Sequence, residues 1–425
     1  MMNRRTFVAS LAAAASAGMF ARAGHAAKTA LESLEADLAE TDEARRWKLI
    51  RDSVTLDPGL VHLNTGSLGA MPRQVQEGLT GFVRELERHP VSKTWGEMGK
   101  LAELVRTQAA GFIGAERDEV AITGNTTEGM NMVASGLKLK PGDEVLTTNH
   151  EHAGGLSCWE YLAQHNGVRI VQIKMPVPLR DKAQFLELVE RHITDRTRVC
   201  SLCHVDTLTG MRLPLREISE ILRPRDILLI CDGAQGPGML NVNVKALGVD
   251  TYASSSHKWM LAPKGSGLLY IRKEVQNRVQ PIGLHAGFGV YSASSGTRNI
   301  PHILAHGLAM DFHNAIGRDK VERRCRELSG HLRGRLQRLK WLELITPPED
   351  ALASGMVTFR LKKGNSAKLV HKLEAERRIV LKAVPQTRVV DARLQSEDYN
   401  SIRFSTHIYN AEMELERLVE ALKSA

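Results

Sequence analysis

Cysteine is scarce in this chain: five residues in 425, Cys158, Cys200, Cys203, Cys231 and Cys325. An odd, scattered set cannot staple a small secreted scaffold, so the fold must be held by its apolar core. Two of them stand in "CSLCH", Cys200 to His204, which matches the spacing of a covalent haem attachment. The flanks, "TRVCSLCHVDTLTG", read instead as a buried strand and a turn, and on a strand residues three apart face opposite sides. The pair is expected as buried core thiols. Aromatic residues make up only 5% of the chain, and no lysine- or arginine-rich block is interleaved with them. The net charge of +9 therefore lacks the patch that binds nucleic acid, and no nucleic-acid partner is expected. There is no internal repeat or long low-complexity tract, and no residue cluster is read as a metal site. Hydrophobic content of 43% and charged content of 25% are ordinary for a globular protein, and the length suits one large domain plus a smaller one.

No apolar run is long enough to span a bilayer. The N-terminal one lies in "NRRTFVASLAAAASAGMFARAGHAA", after Arg4 and Arg5, and ends near Phe20. Paired arginines, a short apolar stretch and small residues up to Ala26 resemble a twin-arginine export signal cleaved after Ala26. This predicts a periplasmic protein with no stable membrane anchor, exported already folded. That route suits a chain that must take up a cofactor before it leaves the cytoplasm. Cleavage would remove Arg4, Arg5 and Arg22 and no acid.

Along the rest of the chain, residues 28–60 are charged and helix-like, "HLNTGSLGAMP" (62–72) is a Gly-punctuated loop, and a helical region follows to about 113. Short apolar runs then alternate with helical stretches: "EVAIT", "DEVLTT", "RIVQIK", "RVCSLCHV", "DILLICD", "TYASSS" and "GLLYIR". Such runs predict a mostly parallel seven-stranded sheet in an α/β domain. After about 310 a charged helix (319–340) leads to "GMVTFRLK", a helix over 366–377, "RIVLKAV", "SIRFSTHIYN" and a last helix, a smaller α+β domain. The expected parts are 1–26 (signal), 27–75 (a segment packing on the body), 76–310 (large domain) and 311–425 (small domain).

Open α/β sheets bind ligands at the carboxyl ends of their strands, and several polar motifs fall there. "TGNTTEGMN" opens a helix, so Thr126 and Thr127 combine hydroxyls with the free N–H groups of a helix start, a phosphate seat. "NHEHAGG" puts His152 at the same edge. "ICDGAQG" puts Asp232 at the end of an apolar strand, where a carboxylate needs a cationic partner. "SSSHKWMLAPKGSG" (254–267) puts Lys258 after the next strand, half buried, where desolvation favours the reactive amine. A phosphate seat, a flat histidine, an acid and a lysine at one sheet edge are the parts that pyridoxal phosphate (PLP) requires: an amine for its aldehyde and an acid that keeps its ring nitrogen protonated.

With "DGAQ" (232–235), "SSSHK" (254–258), "TTEGMN" (126–131), "GTRN" (296–299) and "IRFSTHIYN" (402–410), the chain resembles fold-type I PLP enzymes of the class V aminotransferase family along nearly all of its length. "GTR" with "HVDTLTG" resembles the isopenicillin N epimerase-like branch. The resemblance implies that Lys258 forms the Schiff base, Asp232 pairs with the pyridinium, His152 stacks on the ring and Gln235 approaches the ring oxygen. It implies that Thr126, Thr127, Ser255 and His257 hold the phosphate and that Thr297 reaches the phosphate of a neighbouring subunit in a homodimer. Arg403 would clamp the substrate carboxylate, and Asn64 would touch substrate. Thr207 stands where relatives often carry Asn or Ser near the ring oxygen.

PLP permits several reactions, and the protein selects one by orienting the bond to be broken. The expected activity is aminotransfer on a small amino-acid-like or peptide substrate. Epimerisation is the alternative from the branch. The export signal together with the branch adds a third reading, a periplasmic enzyme modifying the glutamyl side chain of a pyoverdine-type siderophore, and a hypothesis of a different class is a non-catalytic PLP-binding module. Cysteine desulfurases of the family need a mobile cysteine in the small domain, and the stretch from about 380 to 400 has none. Cys325 is expected to be structural.

Overall fold

The computed structural model of this protein describes residues 22–424. Residues 1–21, which hold most of the expected export signal, lie outside the described residues. A helix, Arg22–Ala39, runs through the expected cleavage point, and a second, Glu43–Asp52, follows it. Among the described residues no helix is long and apolar enough to cross a membrane.

The large sheet is built from β2 (Val120–Thr123), β3 (Glu144–Thr148), β4 (Arg169–Ile173), β5 (Thr197–Cys203), β6 (Leu228–Asp232), β7 (Thr251–Ser255) and β8 (Gly267–Ile271), in the order β2-β8-β7-β6-β5-β3-β4. Only β8 runs against its neighbours, β2 and β7. The sheet is therefore the mostly parallel seven-stranded one expected. β3 and β6 to β8 are buried throughout, and β5 at every position but Arg198, as strands covered by helices on both faces must be. Alternation along them separates two cores. Cys200, Leu229, Cys231, Tyr252 and Leu268 belong to one; Val199, Leu228, Ile230, Ala253 and Leu269 belong to the other, together with Met130 and Val133 of the helix Thr126–Gly136 and Leu156 and Trp159 of the helix Ala153–Asn166. Asp232, in phase with Leu228 and Ile230, thus points toward the starts of those two helices.

The small domain has a four-stranded sheet, β12-β13-β10-β9, from β9 (Leu342–Leu344), β10 (Met356–Leu361), β12 (Lys382–Ala383) and β13 (Ser401–Ser405). Its own apolar core includes Leu332, Phe359, Leu373, Phe404 and Leu418. The segment expected to pack on the body is divided between the domains. The helix Arg22–Ala39 lies against helices Arg73–Arg88 and Ile300–Ile316, whereas β1 (Val61–His62) pairs in parallel with β11 (Ile379–Val380), and Ser405 N–H donates to Leu63 O. "RIVLKAV", read as one strand, is accordingly two, because β11 pairs with β1 while β12 pairs with β13.

Candidate active site

Asp232 ends β6, 6% exposed, and its Oδ1 accepts from Ala234 N–H at 2.9 Å. Opposite it, the helix Ala153–Asn166 begins on two glycines. A Cβ on Gly155 would lie 2.5 Å from Asp232 Oδ2, and one on Gly154 would lie 2.2 Å from Thr127 Oγ1. Any side chain there would push the helix start away from the acid and from the phosphate seat.

Lys258 follows β7 in a tight turn. The loop of residues 64–70 presses on that turn: Gly69 N–H donates to His257 O at 3.0 Å, and a Cβ on Gly69 would lie 1.9 Å from Lys258 O. Burial pushes the Lys258 ammonium down to about 8; Asp232 opposes that shift and Arg403 adds to it. The amine is thus mostly protonated at pH 7 but has a far larger neutral fraction than an ordinary lysine, and both Asp232 and Arg403 are close enough to act on it.

Thr126 N–H donates to Ser255 Oγ at 2.9 Å, and the two hydroxyls lie 2.8 Å apart. Asn125 caps this helix by accepting from Glu128 N–H. Beside them, buried His257 Nδ1 and the Ser254 and Ser256 hydroxyls have no partner among the described residues. His152 caps its own helix: Nδ1 accepts from Gly154 N–H at 3.0 Å. Burial, then the charge of Lys258, holds His152 below the usual histidine range, with Asp232 opposing and Arg403 and Lys382 adding.

Arg403 rises from β13, 3% exposed. Its Nη1 donates to Thr207 O at 3.1 Å and to the Thr207 hydroxyl, and its Nη2 to Asn64 Oδ1 at 3.3 Å and Ser67 Oγ at 3.4 Å. Its Nε has no partner among the described residues. Burial lowers Arg403 to about 10, with Asp206 opposing.

The structure thus gathers Lys258, Asp232, His152, Arg403, Asn64 and Thr207 at one edge, and Thr126, Ser255 and His257 around one seat. Two of the expected residues also have protein partners. Thr207 accepts from Arg403 through its carbonyl and its hydroxyl, and so helps to orient the guanidinium. Gln235 donates to Gly66 O at 2.9 Å and accepts from Trp259 Nε1–H at 2.6 Å, which ties the loop of residues 64–70 to the lysine turn. Thr297 is exposed in the loop before the helix Ile300–Ile316 and has no described hydrogen bond to the site.

Sequence reasoning missed a buried layer beneath these groups. His150 bridges Asp206 (Nδ1 to Oδ2, 2.8 Å) and Tyr399 (Nε2 to Oη, 2.9 Å), joining the large domain to the small one. Burial pushes Asp206 up, but His150, Thr209 and Leu208 N–H outweigh it and hold the carboxyl low. Glu151 is buried beside them and accepts from Thr148 Oγ1 at 2.8 Å. Burial raises it to about 8, with Thr148 opposing and Asp232 and Asp206 adding. The one available signal was "NHEH", three titratable side chains in four residues at a strand end.

A desolvated amine beside a buried carboxylate, with a helix-start seat and a guanidinium on either side, defines a lysine–aspartate site for an aldehyde cofactor bearing a phosphate. The chain matches the class V aminotransferase family over residues 69–418. It is 34% identical over 403 residues to an isopenicillin N epimerase of Amycolatopsis lactamdurans, covering 89% of this chain and 98% of that one. It is 31% identical to an isopenicillin N epimerase of Streptomyces clavuligerus, covering 88% and 97%. A solved structure titled as the apo form of a cysteine desulfurase from Thermococcus onnurineus NA1 superposes with a TM-score of 0.76 at 23% identity, covering 89% and 97%. The chain belongs to the class V aminotransferase family. Its fold is that of fold-type I PLP enzymes, and its cofactor is pyridoxal phosphate.

The residues present fit that group. The unpartnered His257 Nδ1 and the Ser255–Thr126 pair suit a phosphate, and Asp232 suits a protonated ring nitrogen.

Proposed function

We propose that this protein is a PLP-dependent aminotransferase acting at Cα of a small amino-acid-like substrate. The observation that carries the reading is the convergence of Lys258 with buried Asp232 and buried Arg403 at one sheet edge, where burial lowers the amine to about 8. PLP supplies an aldehyde that captures an amine and a ring that accepts the electron pair left at Cα. Asp232 would keep the ring nitrogen protonated, Thr126, Thr127, Ser255 and His257 would hold the phosphate, and His152 would stack on the ring. Arg403, oriented by Asn64, Ser67 and Thr207, binds the substrate carboxylate in a two-pronged contact suited to guanidinium. Lys258 Nζ would hold the cofactor's aldehyde at rest and would carry the Cα proton during the reaction.

Epimerisation is the second reading, supported by the two relatives of that name that match this chain over nearly their whole length. Lys258 would then serve exchange at Cα alone. Sulfur transfer is disfavoured: all five cysteines are free and buried, and burial pushes each thiol well above its ordinary range, Cys158 to about 12, where thiolate is scarce. Single-turnover incubation of the purified holoenzyme with amino donors separates the readings. Aminotransfer yields pyridoxamine phosphate and a keto acid. Epimerisation, run in deuterated water, yields deuterium at Cα of both enantiomers with the amino group retained. Neither product, from any donor, sinks both.

The same reading makes the working form a homodimer with Thr297 on the phosphate held by the other copy, and the leader makes it periplasmic. Sedimentation of wild type against Thr297→Ala, and fractionation of cells carrying Arg4→Lys/Arg5→Lys, check these two points.

A further inference from the structure

The substrate clamp has a neighbour that the proposed reaction does not use. Strands β12 and β13 are antiparallel, and the partner of Arg403 in their register is Lys382. Residues directly opposite on such a pair project from the same face of the sheet, so Lys382 stands on the face from which Arg403 enters the site. On the other side of β13, the partner of Arg403 is Thr358, whose hydroxyl is buried without a partner among the described residues. The row thus runs from a buried hydroxyl through a buried guanidinium to an exposed ammonium at the mouth.

Lys382 has no acidic partner among the described residues. Nearby, Arg388 pairs with Glu160, Arg393 with Asp391, Lys174 with Glu397 and Arg360 with Glu343, whereas Lys368 and Lys372 of the helix Ser366–Arg377, like Lys382, have no acid among the described residues; Lys382 differs from these two in standing directly opposite Arg403. Lys382 also contributes to the electrostatic environment of His152, after burial, Lys258, Asp232 and Arg403. Its charge therefore reaches the edge where the ring lies, although it sits on the other domain. Arg403 needs one carboxylate. A second cation, opposite Arg403 on the adjacent strand and on the solvent side, is placed to meet another.

We propose that Lys382 is a specificity-determining residue that binds a second carboxylate of the substrate, so that the preferred substrates are amino acids with an acidic side chain. This rests on the PLP reading above, because it takes the α-carboxylate to be at Arg403. The side-chain carboxylate lies outward of the α-carboxylate, at the interstrand spacing of about 5 Å plus the longer reach of lysine into solvent. That ordering favours glutamate over aspartate. An ammonium is a compact point charge that accepts a carboxylate from several directions, which suits a terminal group on a flexible side chain.

The test uses full-length holoenzyme and reads equilibrium binding from the change in the cofactor absorbance during titration with L-glutamate, L-aspartate and L-norvaline. Norvaline matches glutamate closely in length but lacks the second charge. The proposal expects glutamate to half-saturate the wild type at about one tenth of the norvaline concentration, since a charge-assisted contact that stays partly solvated is worth about tenfold. In Lys382→Ala this ratio collapses toward one, in Lys382→Arg most of it returns, and in Lys382→Glu it inverts. Equal half-saturation by glutamate and norvaline in the wild type overturns the proposal, as does a ratio that Lys382→Ala leaves unchanged. A purified protein that shows no cofactor band before any amino acid is added sinks the PLP reading itself, and the proposal with it. A normal band with no acidic preference sinks the proposal alone.

Discussion

Lys258 and His306 are both pushed by burial toward their neutral forms, Lys258 to about 8 and His306 to about 4. Their surroundings differ. Lys258 stands at the sheet edge with Asp232 and Arg403 acting on it. His306 lies inside the helix Ile300–Ile316, with neither ring nitrogen partnered among the described residues and burial as the cause of its shift. Burial alone locks a group neutral across the working pH range and leaves it silent. Burial opposed by a nearby acid leaves Lys258 within about a unit of neutrality, able to gain and lose a proton during turnover. The same contrast separates His152, which caps a helix beside the lysine, from the interior histidines.

The largest test of that contrast is removal of the amine. Lys258→Ala is expected to lower turnover by roughly 10³-fold, the scale of a lost acid–base group, whereas His306→Leu leaves kcat within about twofold. Equal losses in steady-state rates would erase the distinction. Next in size, Arg403→Lys keeps the charge but loses the fork, and KM for the amino donor is expected to rise about 10- to 100-fold with a smaller change in kcat.

Acid stability sharpens the comparison from the other side. The folded His306 titrates near 4 and an unfolded histidine near 6.5. The unfolded state therefore binds more protons in that window, so stability is full above it and falls as pH drops through it. His306→Leu should flatten the acid limb of a denaturation-midpoint profile between pH 6.5 and 4. Glu151 has the opposite sign. Its folded carboxyl near 8 holds a proton that an unfolded one near 4.5 has lost, so stability declines as pH rises from 4.5 to 8, and Glu151→Gln should remove that decline. The smallest expected effect is a null one: a thiol reagent should label none of the five buried cysteines in the native protein and all five after unfolding. One reactive native thiol would reopen sulfur transfer.

Much of this was legible in the chain. Each strand of the large sheet lies within two residues of an apolar run that local pattern reveals, because a strand buried on both faces has little room for polar residues. Asp232, Lys258 and the threonines of the helix start were found for the same reason: they interrupt apolar runs at strand ends. Contacts between distant parts of the chain were not legible. Asn64 meets Arg403 across 339 residues, β1 breaks "RIVLKAV" by pairing with half of it, and Gln235 turns to the loop it must hold. No local propensity specifies a partner so far away in sequence. The row of Lys382, Arg403 and Thr358 is of that kind, since it exists only once the register of three strands is known.

The most direct measurement is borohydride reduction of the native holoprotein followed by peptide mapping. The account predicts a single phosphopyridoxyl group on Lys258, gained with loss of the visible cofactor band and absent in Lys258→Ala. Label on another lysine, or a cofactor band that persists in Lys258→Ala after dialysis, would contradict it.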